Sequence, residues 1–390
     1  MLADCIETSH PLPIPRSRPL PEGDPLAMSA RIDSAGDSAP PYAIEVSDGF
    51  VAWLHAAGMS LAVTTYQIGK LFLIGAPTAQ RLSVTERTFE RCLGVAADAQ
   101  SLTLAGLNAI ICFQNVVPPG QAVEGHDALY VPQVSWHTGD LFAHDVGVLA
   151  SGRPVFINTL FSCLATVDES ASFRSVWAPR FISALAPQDR CHLNGLAMDG
   201  PNPAFVTAAG QTDSAGGWRE GRVGGGCAID IASGEIVATG LTMPHSPRIA
   251  GGRLFLCNAG TGELGEVEPA TGRFVPIAFC PGFARGLAVH GNHALVGLSL
   301  PRRHRDFSGL PLDDRLKAAG TEPDCAVQVI DLATGRLAHW LRLGGVVQEL
   351  YDIAIIPGAS SPMVVGFAQD QINRLITRGR SSSIAELNAP

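Results

Sequence analysis

One turn recurs three times in the second half of the chain: Asp230-Ile-Ala-Ser-Gly234, Glu268-Pro-Ala-Thr-Gly272 and Asp331-Leu-Ala-Thr-Gly335. Each sets an acidic residue, then Ser or Thr, then Gly between two apolar runs, the chemistry of a tight hairpin. The first interval is 268 − 230 = 38 residues and the second 331 − 268 = 63, and the surplus of 25 matches the polar stretch Pro301 to Asp324. A repeat of this length in which each unit is a few short strands requires radial stacking of small sheets. The helical period is almost absent, and runs of four to seven apolar or alternating residues separated by Gly, Asp, Asn and Pro continue to the end of the chain.

Each turn is followed by an outer strand and then by a candidate innermost strand: His245 onward, Arg285-Gly-Leu-Ala-Val and Tyr351-Asp-Ile-Ala-Ile-Ile. Extended backwards, the same pattern gives His192 onward, His144 onward, Cys92-Leu-Gly-Val-Ala-Ala and Ser60-Leu-Ala-Val-Thr-Thr, seven in all. The expected fold is therefore all-β, a single propeller domain over residues 46–390 with a loop inserted at about 301–324. Seven four-stranded blades are expected, closed by pairing of the two chain ends, with six as the alternative because residues 60–135 repeat poorly. Residues 1–45, with eight prolines and few aliphatic side chains, read as a flexible tail.

Composition narrows the function classes. A formal net charge of −9 without a basic stripe argues against a nucleic-acid partner. No stretch approaches 18 uninterrupted apolar residues, and no leader pattern stands at the N-terminus, so neither a membrane span nor secretion is expected. The nine scattered cysteines include no C-x-x-C pair and fit buried free thiols in a reduced, cytoplasmic setting. Oligomeric state leaves no mark in the sequence.

His144, His192 and His245 stand 48 and 53 residues apart, each at the front of an apolar run. In a propeller the first residues of the innermost strands face one central funnel, so three imidazoles at blade spacing are candidate ligands of a divalent transition metal (Zn, Fe or Cu) with an open position. Asp145 and Asn194 are placed to order those imidazoles, and Trp218, on a Gly-rich loop over 212–226, to stack on a ligand. Arg285 is the candidate anion anchor. Glu349, Tyr351 and Asp352 on the last blade are the candidate proton-transfer groups. The bland reading of each is a satisfied core or strand-end residue, with Arg248 as a blade-to-blade contact. The cluster Arg302-Arg303-His304-Arg305 reads as a solvated turn.

The segments CHLNGLAMDG (191–200), TAAGQTDSAGGWRE (207–220), TGLTMPHSPR (239–248), LCNAGTGELG (256–265) and FCPGFARGLAVHG (279–291) resemble a bacterial family of uncharacterised propeller-like proteins, over about residues 50–370. The resemblance implies the fold and no activity. More loosely, Asn194-Gly195-Leu196-Ala197 is similar to an inner-strand motif of gluconolactonase-type and strictosidine-synthase-type propellers, where in the lactonases the Asn helps hold a divalent metal. This chain departs from them in placing a histidine two residues earlier. Three funnel histidines are also similar, in architecture alone, to the zinc-binding propeller of peptidylglycine amidating lyase.

Two functions follow as expectations. The first is a metal-dependent enzyme acting on a small anionic molecule or peptide in the funnel, its reaction class open among hydrolase, lyase, isomerase and oxidative chemistry. The alternative is a non-catalytic binding propeller that offers its loops at 212–226 and 301–324 to a partner. Fold does not separate them.

Overall fold

In the computed structural model the described residues are 42–301, 307–368 and 370–377. Residues 1–41 of the expected tail and the basic cluster Arg302 to Arg305 lie outside them. The described residues form six sheets, each led by one innermost strand: Val95–Ala97, Ala143–Val148, Leu193–Asp199, Pro244–Ala250, Phe283–His290 and Leu350–Pro357. These are blades 1 to 6 of a propeller. Blades 2, 3, 4 and 6 have four strands, and blades 1 and 5 have five.

The expectation of seven blades is corrected by the segment beginning at Ser60. Met59–Thr65 is the second strand of blade 6, paired antiparallel with Leu350–Pro357, so the sixth sheet draws its innermost strand from the end of the chain and its other three from the start. Every residue of Met59–Thr65 is buried, as is nearly all of its partner. Inner and second strands are covered on both faces, so both read as apolar runs. Two further pairings tie the ends: Ile44–Val46, at the boundary of the expected tail, joins Leu337–Leu343, and Pro362–Val364 lies parallel to Ala128–His137.

The three repeated turns join the third and fourth strands of blades 3, 4 and 5. Gly234, Gly272 and Gly335 adopt φ of 70°, 69° and 68°, and each donates its amide to the carbonyl of the acidic residue four positions earlier. The Asp230 and Asp331 carboxylates accept further from the amides of Ser233 and Thr334, which is why this residue set recurs.

Neighbouring blades interlock through their apolar faces; Ala62, Leu71 and Leu73 of blade 6, for example, pack with Val95, Leu102 and Leu104 of blade 1. Among the described residues two α-helices interrupt the β pattern. Phe50–Ala56 buries Phe50 and Leu54, one turn apart, against the core shared by blades 5 and 6. Pro311–Ala319 sits inside the inserted segment, with Pro at its first turn and Gly320 closing it at φ 61°, and buries Leu312 and Leu316.

Candidate functional site

The innermost strands share one irregularity. In blades 2 to 6 the pairing with the second strand slips by one residue at the same place: at His144-Asp145, Asn194, Ser246-Pro247, Arg285-Gly286 and Tyr351-Asp352. A bulge inserts an unpaired residue and re-aims side chains, here toward the axis. Aligned on these bulges to within one residue, and in blade 1, which has no slip, on Val95, whose amide meets Asp352 as that of Leu196 meets Asp145, the blades give one triplet each: Leu93-Gly94-Val95, His144-Asp145-Val146, Asn194-Gly195-Leu196, His245-Ser246-Pro247, Arg285-Gly286-Leu287 and Tyr351-Asp352-Ile353. The first member of each is the lumen position.

The sequence alignment of histidines is therefore corrected at one point. His192 stands two residues before its lumen position, where blades 1, 2 and 4 carry Arg91, Phe142 and Met243. All four hold left-handed backbones, with φ of 50°, 44°, 50° and 48° for His192, Arg91, Phe142 and Met243. The residue equivalent to His144 and His245 is Asn194. Its spacing, 194 − 144 = 50 and 245 − 194 = 51, is more even than that of His192 and was the signal available in the sequence.

The second triplet position alternates around the ring as Gly94, Asp145, Gly195, Ser246, Gly286 and Asp352. The Asp and Ser side chains reach forward to the next blade: Asp145 accepts from the Leu196 amide at 2.9 Å, Ser246 from Gly286 at 2.9 Å and Asp352 from Val95 at 3.1 Å. The other three junctions are closed by contact. A Cβ on Gly94 would lie 2.7 Å from Asp145 Cα, one on Gly195 3.0 Å from the Ser246 nitrogen, and one on Gly286 3.0 Å from Asp352 Cα. At this position direct contact thus closes the junctions of blades 1–2, 3–4 and 5–6, and a side-chain hydrogen bond those of blades 2–3, 4–5 and 6–1.

Arg248 closes the floor. Its Nη1 lies 2.9 Å from Asp145 Oδ2 and its Nη2 2.9 Å from Asp352 Oδ1, and Nη1 also donates to the Leu196 and Pro247 carbonyls. This is the blade-to-blade contact expected of it, reaching blades 2 and 6 at once. Burial works against its charge, but the two carboxylates hold its pKa above the ordinary value. Burial, aided by Asp145 and opposed by Arg248, pushes the Asp352 carboxyl up to about 7. Asp145 and Asp352 both serve this floor.

Above the floor, ring contacts run unbroken across the mouth: His245 to Phe283 at 5.5 Å, Phe283 to the Arg285 guanidinium at 5.4 Å, Arg285 to Tyr351 at 5.1 Å, Tyr351 to His144 at 5.7 Å, His144 to His192 at 5.0 Å and His192 to Trp218 at 4.2 Å. Arg285 also pairs with Glu349 at 2.8 Å, so an anionic ligand at Arg285 competes with a carboxylate already in place. Trp218 is buried rather than presented to solvent: its indole stacks on His192 and its N–H donates to Asp189 at 2.9 Å. It packs with Met243, Phe283 and, from the inserted segment, Leu310, Leu312 and Leu316, so the two loops cover one side of the funnel together.

Asp189, which the sequence reading passed over, accepts from His192 Nδ1 at 3.0 Å and receives the Trp218 indole on its other oxygen. The three predicted histidines are not brought to one point. His245 Nδ1 lies 2.8 Å from the Met243 carbonyl, and among the described residues no group of three His, Cys, Asp or Glu side chains is placed to hold a metal ion. No helix among the described residues is long and apolar enough to cross a membrane.

A family model described as a domain of unknown function (DUF4915) matches residues 48–365. The chain belongs to this family. The match to DUF4915 runs from before Met59–Thr65 of blade 6 to just past Pro362–Val364, the strand that pairs with blade 1. A crystal structure of a nidogen/laminin complex is similar in fold, with a TM-score of 0.51 at 12% identity over 77% of this chain and 99% of that one. A computationally designed protein, Ika8, aligns with a TM-score of 0.35 at 13% identity over 72% of this chain and 74% of its own. No curated protein matches the chain in sequence.

Proposed function

We propose that the funnel of this DUF4915 propeller is the binding and reaction site of an enzyme acting on a small molecule by proton transfer, with His192 as the acid–base group. The observation that carries it is the Asp189–His192 contact at 3.0 Å. A carboxylate on Nδ1 fixes the tautomer and leaves Nε2 to accept or return a proton, the usual division of labour between a base and the residue that orients it. Trp218 fixes both partners, stacking on the imidazole and donating to Asp189. His144 and Tyr351 extend the arrangement along the mouth as further proton-bearing groups.

The expected three-histidine metal centre is set aside in this reading because the donors do not gather. The binding-module alternative draws less support: the apolar side chains of the two loops are spent on each other, leaving Val223 as an exposed large hydrophobe there. Asp189 and His192 both hold left-handed backbones, which Asn tolerates, so Asp189→Asn and His192→Asn test chemistry with little cost to the fold. A library of small organic molecules is screened for turnover by the native protein. His192→Asn should lose the activity by about 100-fold or more, the scale of a general base, and Asp189→Asn should lose part of it. A hit turned over equally by both variants overturns the reading.

A further inference from the structure

Six lumen positions surround the axis, and Asn194 and Tyr351, on opposite blades, each end in a hydrogen-bonding atom with no partner among the described residues. Asn194 of blade 3 is 2% exposed; its Oδ1 accepts from Thr207 Oγ1 at 2.8 Å, and its Nδ2 has no partner among the described residues. Tyr351 of blade 6 is 5% exposed, and its hydroxyl has none either. Buried polar groups are nearly always satisfied, because taking one out of water unpaired is costly. Both side chains are also held where they are. With Oδ1 taken by the Thr207 hydroxyl, Nδ2 is the end of the Asn194 amide left unpaired, and Tyr351 is packed between Tyr66, His144 and Arg285.

We propose that Asn194 and Tyr351 are the hydrogen-bond donors that recognise the ligand of this funnel, and that what they bind is an oxygen acceptor, a carbonyl or carboxylate group. The inference rests on the reading of the funnel as a small-molecule site. The Asn194 amide nitrogen only donates. The Tyr351 hydroxyl stays protonated across the working pH range, since burial pushes its pKa well above the ordinary value, and it too can donate. Two unpartnered donors at lumen positions favour an oxygen acceptor over a cation, which offers the Asn194 N–H nothing to bind.

The test follows the Asn194 side-chain amide and ring-labelled Tyr351 by NMR in the full-length protein, with the His144 and His192 imidazoles as neighbours. Acetate, acetamide and tetramethylammonium are titrated separately. Acetate and acetamide separate a carboxylate from a neutral carbonyl as the source of the acceptor, and either should move both reporters saturably. Tyr351→Phe should weaken the binding of that probe by about three- to tenfold, the loss expected of one neutral hydrogen bond, and Asn194→Asp, which replaces a donor by an acceptor, should weaken it further. Shifts of the imidazoles with neither reporter moving, or saturable shifts with tetramethylammonium alone, overturn the donor assignment while keeping a ligand site. No saturable shift anywhere in the funnel overturns the small-molecule reading with it.

Discussion

Arg248 Nη2 lies 2.9 Å from Asp352 Oδ1 while Nη1 of the same guanidinium lies 2.9 Å from Asp145, so one side chain of blade 4 ties blades 2 and 6 at the floor of the funnel. All three groups are buried or nearly so, and removing the cation strands two carboxylates side by side in low dielectric. Arg248→Met should therefore destabilise the fold by about 3–5 kcal/mol. Combining it with Asp145→Asn and Asp352→Asn removes the stranded charges, and the triple variant should recover much of that loss. Urea denaturation of the three proteins checks this; a single variant within about 1 kcal/mol of the parent would show that the floor contributes little.

The same triad gives a pH dependence with a definite sign. Asp352 titrates at about 7 in the folded protein against 3.8 for an ordinary Asp, so the folded state holds this proton more tightly than the unfolded one. Its contribution is complete below about pH 4 and is lost as pH rises through about 7. The stability difference between the native protein and Asp352→Asn should shift across that window in favour of the variant as pH rises. A difference that stays flat from about pH 4 to 8 refutes the assignment.

The alternation of Gly with Asp or Ser predicts two classes of glycine substitution. Gly94→Ala drives a methyl to 2.7 Å of Asp145 Cα, backbone that has no room to retreat, and should cost about 1–3 kcal/mol or prevent ring closure. Gly139, at φ 70° with nothing within 4 Å of an added Cβ, meets backbone strain alone, and Gly139→Ala should cost about 1 kcal/mol. Thermal unfolding of the pair, compared with the parent, decides whether close approach or conformation dominates.

Thiol reactivity should report the packing between blades. Eight cysteines among the described residues are free; seven are buried and Cys112 is half-buried. Burial pushes the Cys92, Cys191, Cys227, Cys280 and Cys325 thiols up to about 12, so few thiolates form at pH 8. Native protein treated with a disulfide reagent at that pH, with peptides mapped afterwards, should show Cys112 modified first among these eight and the rest only on unfolding. Fast labelling of Cys191 or Cys227 would mean that blade 3 opens locally.

Local events were legible in the residues: the hairpin turns at Asp230, Glu268 and Asp331, the innermost strands after residues 92, 144, 192, 245, 285 and 351, and closure by the two chain ends. These depend on short-range chemistry, an acid bonding the next amides and a glycine taking a left-handed φ, and such chemistry is written in neighbouring residues. The helix Pro311–Ala319 also had its signal, Pro at the start and Gly320 at the end, within a stretch read only as polar. Long-range contacts set the remainder. That Met59–Thr65 is a second strand, and the blades six, depends on a partner nearly 300 residues away, because inner and second strands are equally apolar. That Asn194 and not His192 faces the lumen depends on a bulge, which moves every following side chain by one place and leaves no trace in composition. And Asp189, Trp218 and Arg248 took their roles from neighbours on other blades and loops, contacts that exist only once the ring has closed.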